Sequence, residues 1–164
     1  MEGPVHVATF SSVSATTAGQ SDLFQITAPA TSRVELCAYE ITQLSTAPGT
    51  LTLQLIRGST TTGSGGTAVT PARTQPWSTT AGSSVMANNT TVASSAGTEI
   101  LHSAATTPAE PNYQWLPNDS PIATRAGSER IFLEASQRCV LRAGTPSTAV
   151  ALSGTLKFRE IGLQ

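Results

Sequence analysis

A chain of 164 residues has a net charge of −1, and only 12% of it is Asp, Glu, Lys or Arg, against about 25% in an average soluble domain. Lys157 is the sole lysine, so the clustered basic footprint that holds nucleic acid is missing. No run approaches the ~20 apolar residues of a membrane-spanning helix, and with aromatics at 5% the core falls to Val, Leu and Ile, anchored by Phe10, Phe24, Phe132 and Phe158.

In chain order, Met1 to Val7 carries neither a basic region nor an apolar run, which predicts no secretory signal and synthesis in a cytoplasm. Val5, Val7 and Phe10 predict an opening strand, and a Ser/Thr/Ala/Gly stretch runs from Ser11 to Gly19. Leu23 to Thr27 predicts a short strand stopped by Ala28-Pro29. From Arg33 to Ile41, Val34, Leu36 and Ala38 share one face, with Arg33, Glu35 and Cys37 on the other. This reading puts Glu35 and Glu40 on opposite faces. Pro48-Gly49 marks a turn, and Leu51 to Arg57 alternates most cleanly of all.

The stretch from Ser59 to Gly97 is too long for an ordinary connection in a compact domain, where loops beyond about 12–15 residues are uncommon. It predicts an excursion with short strands near Thr67–Thr70 and Thr90–Ala93. Glu99 to Ser103 reads as a strand, and four prolines frame the extended Tyr113 to Leu116. Arg130 to Glu134 and Cys139 to Arg142 are shorter strands. In the last, Val150, Leu152, Gly154, Leu156 and Phe158 share one parity, giving an apolar face throughout. No helix of ordinary length and no internal repeat is visible. The expected architecture is all-β: one domain over 1–164, an antiparallel β-sandwich of about eight strands, jelly-roll-like, with an N-terminal arm over 1–10 and the excursion over 59–97.

Chemistry finds little footing. His6, His102, Cys37 and Cys139 lack metal-ligand spacing, so neither a metal nor another cofactor is expected. In a reducing compartment the cysteines read as buried thiols, although a disulfide stays open. Gly63-Ser64-Gly65-Gly66 lacks the Lys-Ser or Lys-Thr of a phosphate loop, and no Gly-x-Ser-x-Gly elbow exists. Glu134 and Glu160, near strand ends, read as partners of Arg142 or Arg159 and not as an acid–base pair. No enzymatic activity is expected. Trp77, Tyr113 and Trp115 are candidates for stacking on a sugar.

Leu55 to Gly66, Val69-Thr70-Pro71, Asn88-Asn89-Thr90 and Leu152 to Gly162 resemble small structural virion proteins of tailed bacteriophages and prophages. Their best-understood analogues are capsid decoration, or cement, proteins, which commonly trimerise. The resemblance implies a protein on the outer capsid surface of a virion, bridging capsomers as a homotrimer. Its partners would be itself and the major capsid protein, without nucleic acid or membrane. Val5, His6, Val7, Thr60, Thr61, Gly63, Gly65, Asn88 and Asn89 are the candidate capsid or subunit contacts. On this reading, deleting Thr60 to Gly66 weakens attachment and leaves the fold intact. The alternative is a tail or head-fibre domain that binds a host surface glycan through Trp77, Tyr113 or Trp115.

Overall fold

The computed structural model describes residues 3–45, 50–76, 78–94, 98–106, 112–115 and 130–162; at Ser12, His102, Thr106 and Trp115 the description covers the backbone alone. Twelve strands run through these residues: β1 (Val5–Ala15), β2 (Ser21–Thr27), β3 (Ser32–Gln43), β4 (Leu51–Arg57), β5 (Thr67–Val69), β6 (Ala72–Arg73), β7 (Ser84–Asn89), β8 (Glu99–Thr106), β9 (Asn112–Trp115), β10 (Ile131–Leu133), β11 (Arg138–Ala143) and β12 (Val150–Gly162). They form two antiparallel six-stranded sheets. The first runs β10–β3–β12–β1–β6, with β9 also on β3; the second runs β5–β7–β2–β11–β4–β8. The chain is thus an antiparallel β-sandwich. The excess over eight strands comes largely from the excursion, which contributes β5, β6 and β7, and from an outer edge of β3 shared by β9 and β10.

The core lies between the sheets. Leu36, Ile41, Leu152, Leu156 and Phe158 of the first sheet meet Phe24, Ile26, Leu53, Leu55 and Leu141 of the second. Every second residue of β12 from Val150 to Phe158 is buried, as its period of two dictates. Gly154 has a specific use there. A Cβ on it would come within 2.7 Å of both Ile41 Cδ1 and Phe10 Cε1. Its absence lets the Phe10 ring settle 4.9 Å from Phe24.

Several expectations give way. The strand that starts at Val5 continues through the Ser-rich stretch to Ala15, because β12 pairs with it along that length. No free arm therefore spans the described residues up to Phe10. From Val5 on they are sheet, and β6 adds pairing at His6 and Val7 on the other flank. In β3 the partners jump from Leu36↔Phe158 to Ala38↔Lys157, so Cys37 is the extra residue of a bulge. Phase inverts there: Tyr39 and Ile41 enter the core, while Glu35 and Glu40 end up on the same outer face. Inside the excursion, β5 falls where a strand was expected. No strand forms over Thr90–Ala93: β7 ends at Asn89, and Thr91 makes only an isolated bridge to Ser64.

Candidate functional site

β2 is buried on both faces, which a half-exposed strand would not be. Its inner face supplies Phe24 and Ile26 to the core. Its outer face carries Asp22 and Gln25, and the excursion folds back over them. Gly63 N–H donates to Gln25 Oε1 at 2.8 Å, and Asn89 Nδ2 donates to the same oxygen at 3.4 Å. Arg142 Nε donates to Asp22 Oδ1 at 2.7 Å, and Arg142 Nη2 to the Ala93 carbonyl at 2.7 Å. Ala93 N–H closes the circuit on Asp22 Oδ2 at 2.7 Å. A small apolar cluster of Ile56, Ala93 and Val140 fills the space beside it. Such a buried pair is tolerated because further hydrogen bonds satisfy its remaining polar atoms.

Gly63 makes this approach possible. A Cβ there would lie 2.6 Å from Asn89 Nδ2 and 2.8 Å from the Thr91 carbonyl. The excursion is therefore a cover for the second sheet, built from main-chain groups meeting buried side chains. Its far limb is fastened to the first sheet, where Glu160 accepts from Ser83 N–H at 2.7 Å and from Gly82 N–H at 3.1 Å.

Among the described residues the exposed charges gather toward one end, with Glu40 and Lys157 exposed midway along the first sheet. At the end where Val5 pairs with Arg159, a cleft of about 550 Å³ is lined by Arg57, Gly58, Glu99, Arg130, Phe132, Glu134 and Gln137. Glu134 pairs with Arg33 at 2.7 Å, and Glu35 with Arg130 at 2.6 Å and Arg159 at 3.5 Å. These partners replace the expected ones: Arg142 is taken by Asp22, and Glu160 holds backbone amides. The opposite end exposes Thr16, Thr17, Ala18, Gln20, Leu44, Thr50, Thr90, Thr145, Ser147, Thr148 and Ala149, with no charged side chain exposed there among the described residues. A second cleft, of about 520 Å³, opens at this end, lined by Val13, Ser14, Thr16, Ala18, Gly19, Gln20, Ser21, Asn88 and Thr90.

The candidate contact residues are scattered across this frame. Thr60, Thr61 and Gly65 are exposed on the cover, and Asn88 is partly exposed at the neutral end. His6 and Asn89 are 0% exposed, and Gly63 is buried, so none of the three offers a side chain to an outside partner. His6 points inward against Phe158, ring centroids 5.5 Å apart, while Val5 and Val7 face out and are half-buried. Of the glycan candidates, Trp77 and the Trp115 side chain lie outside the described residues. Tyr113 packs on Tyr39 with centroids 5.9 Å apart, and burial raises the pKa of both hydroxyls.

Both cysteines are thiols. Cys37 sits half-buried on the first sheet and Cys139 in the core, where burial pushes its thiol up to about 12. Among the described residues no group of three His, Cys, Asp or Glu is arranged to hold a metal ion.

The polar circuit under the cover was invisible to strand periodicity. The one available signal was Arg142, a charge set inside the apolar run from Val140 to Ala143. In comparisons with protein-family models, curated proteins and solved structures, nothing matches this chain.

Proposed function

We propose that the protein is a decoration (cement) protein of a bacteriophage capsid, bound to the outer shell surface and bridging capsomers as a homotrimer. Its role on this reading is mechanical and involves no catalysis. The carrying observation is the segregation of charge. Among the described residues, one end of the sandwich exposes only hydroxyl, amide and small apolar side chains around Leu44, which is 50% exposed. Soluble surfaces ordinarily intersperse charges of both signs, whereas the buried centres of protein interfaces are depleted in them. The neutral end is therefore the face suited to burial against the shell, with the charged end turned to solvent. Weak contacts become strong in sum when one oligomer touches several capsomers.

Support also comes from connectivity. With β5, β6 and β7 set aside, β1, β3, β9/β10 and β12 belong to one sheet and β2, β4, β8 and β11 to the other. We read that alternation as a jelly roll, an architecture frequent in viral shells. As a fold-level analogy it raises the prior only.

The test is the number of copies per purified virion, by quantitative mass spectrometry against the major capsid protein. Hundreds of copies, displaced by Thr148→Glu at the neutral end, are expected. A few tens of copies or fewer would overturn the reading and move the protein to a tail, vertex or fibre.

A further inference from the structure

Two stretches of the cover are laced to each other. Residues 59–66 connect β4 to β5, and residues 90–94 follow the end of β7. Ser64 N–H donates to the Thr91 carbonyl at 2.9 Å, and Thr91 N–H donates back to the Ser64 carbonyl at 3.0 Å. Ser94 N–H donates to the Thr61 hydroxyl at 3.1 Å. Left-handed backbone marks their ends, with φ of 87° at Gly58, 76° at Gly65 and 57° at Asn88. Such positions beside strand ends are where hinges form.

Both stretches hold the second sheet through polar groups. Gly63 bonds Gln25, Ala93 bonds Asp22 and Arg142, and the Ser59 carbonyl accepts from Arg138 Nη1 at 2.9 Å. The apolar cluster they join is small, Ala93 with Ile56 and Val140. Among the described residues, none of 59–66 or 90–94 belongs to the core between the sheets. Beneath them β2 is paired on both sides, with β7 and β11, so its ladder does not depend on them. Segments with few buried apolar contacts open at a lower free energy than the whole fold.

We propose that 59–66 and 90–94 form one strap, which lifts from the second sheet as a unit while the sandwich stays folded. The lacing makes the two stretches move together, and the ion pair makes the motion all-or-none. Ala93 bonds both Asp22 and Arg142, so a half-lifted strap leaves a buried charge pair short of its partners. That arrangement is costlier than either end state. The two states differ in surface chemistry. Closed, the strap turns Thr60, Thr61, Thr62, Ser64, Thr90 and Thr91 outward, all without charge. Open, it admits water to a carboxylate and a guanidinium on the same sheet. The strap is thus a switch of surface character, and it stands independently of the capsid reading.

Native-state hydrogen exchange on the full chain tests this. The amides of Gly63, Ser64, Thr91 and Ala93 are expected to share one opening constant. It should be roughly a hundredfold larger than that of the β12 amides from Leu152 to Phe158. Its dependence on urea should be shallow, because little surface is uncovered. Arg138→Met releases the Ser59 carbonyl in one stretch, and should raise exchange roughly tenfold at Thr91 and Ala93 in the other. Arg142, with 3% of its side chain exposed, should react with phenylglyoxal in step with the same constant. Separate constants for the two stretches, exchange of all four amides at the β12 rate, or an Arg138→Met effect confined to 59–66 would each overturn the proposal. So would an Arg142 that stays unreactive until global unfolding. The exchange and the labelling of the unaltered protein decide the matter even where the variant fails to fold. Failure of the copy-number experiment would leave these results untouched.

Discussion

Asp22 and Arg142 are 120 residues apart in sequence, and their side chains meet at 2.7 Å with 0% and 3% of their surface exposed. The carboxylate spends its other oxygen on the Ala93 amide, and the guanidinium reaches the Ala93 carbonyl. One ion pair thus carries the strand pairing of β2 with β11 and the attachment of the cover above them.

Removing one partner leaves an uncompensated buried charge. Arg142→Leu is expected to cost about 3–5 kcal/mol in urea unfolding, with Asp22→Leu/Arg142→Leu recovering a large part of it. A single variant within 1 kcal/mol of the parent, roughly the ceiling for an exposed pair, would show that the pair is open to solvent.

The cover can be probed where it has no room. Gly63→Ala places a methyl group 2.6 Å from Asn89 Nδ2 and should destabilise by about 1–3 kcal/mol. Limited proteolysis should then cut first between Gly58 and Gly66. The same geometry revises the deletion of Thr60 to Gly66. It would strip the Gln25 oxygen of its Gly63 donor, so the fold would not be left intact. Thr60→Glu, on the exposed surface, is the cleaner probe of attachment.

At the other limb, Glu160→Ala frees the amides of Gly82 and Ser83 and the Ser83 hydroxyl. Faster hydrogen exchange at those two residues, with a global cost of about 1–3 kcal/mol, is expected. Unchanged exchange there would mean that the segment is held by other contacts.

Alkaline stability follows from Cys139. Burial raises its thiol from 9.0 to about 12, so the unfolded chain gives up this proton first as pH rises. Stability from this group is complete below pH 9.0 and drains away between there and about 12. Cys139→Ala should flatten the fall of unfolding free energy over that range without abolishing it, since burial raises Tyr39 and Tyr113 as well. An unaltered slope would contradict the assignment.

Much of the sandwich was legible because its pattern is local. β4 and β12 alternate in sequence as they do in space, and β12 buries the residues its parity names. β3 was legible only to Cys37, because a bulge is decided by how β12 lies beside it. Ser11 to Ala15 and Ser84 to Asn89 escaped notice since hydroxyl, amide and small side chains carry little periodic signal. The polar circuit escaped for a different reason. Burial of Asp22 and Asn89 is imposed by chain far away in sequence, and no window around either residue contains it.

The order of β3, β12 and β1 sets a timetable. The strand between the first and third is the last of the described chain, paired with β3 from Leu152 to Gly162 and with β1 from Val5 to Ala15. A ribosome delivers this keystone after every other described strand, so the first sheet stands split until β12 emerges. Shortening the product before Val150 would leave two long strands facing a gap, with Ala8, Leu36 and Ile41 open to water. Assembly of this molecule is therefore an event of completion: slow, dominated by distant partners, and vulnerable to strangers for as long as the slot stays empty.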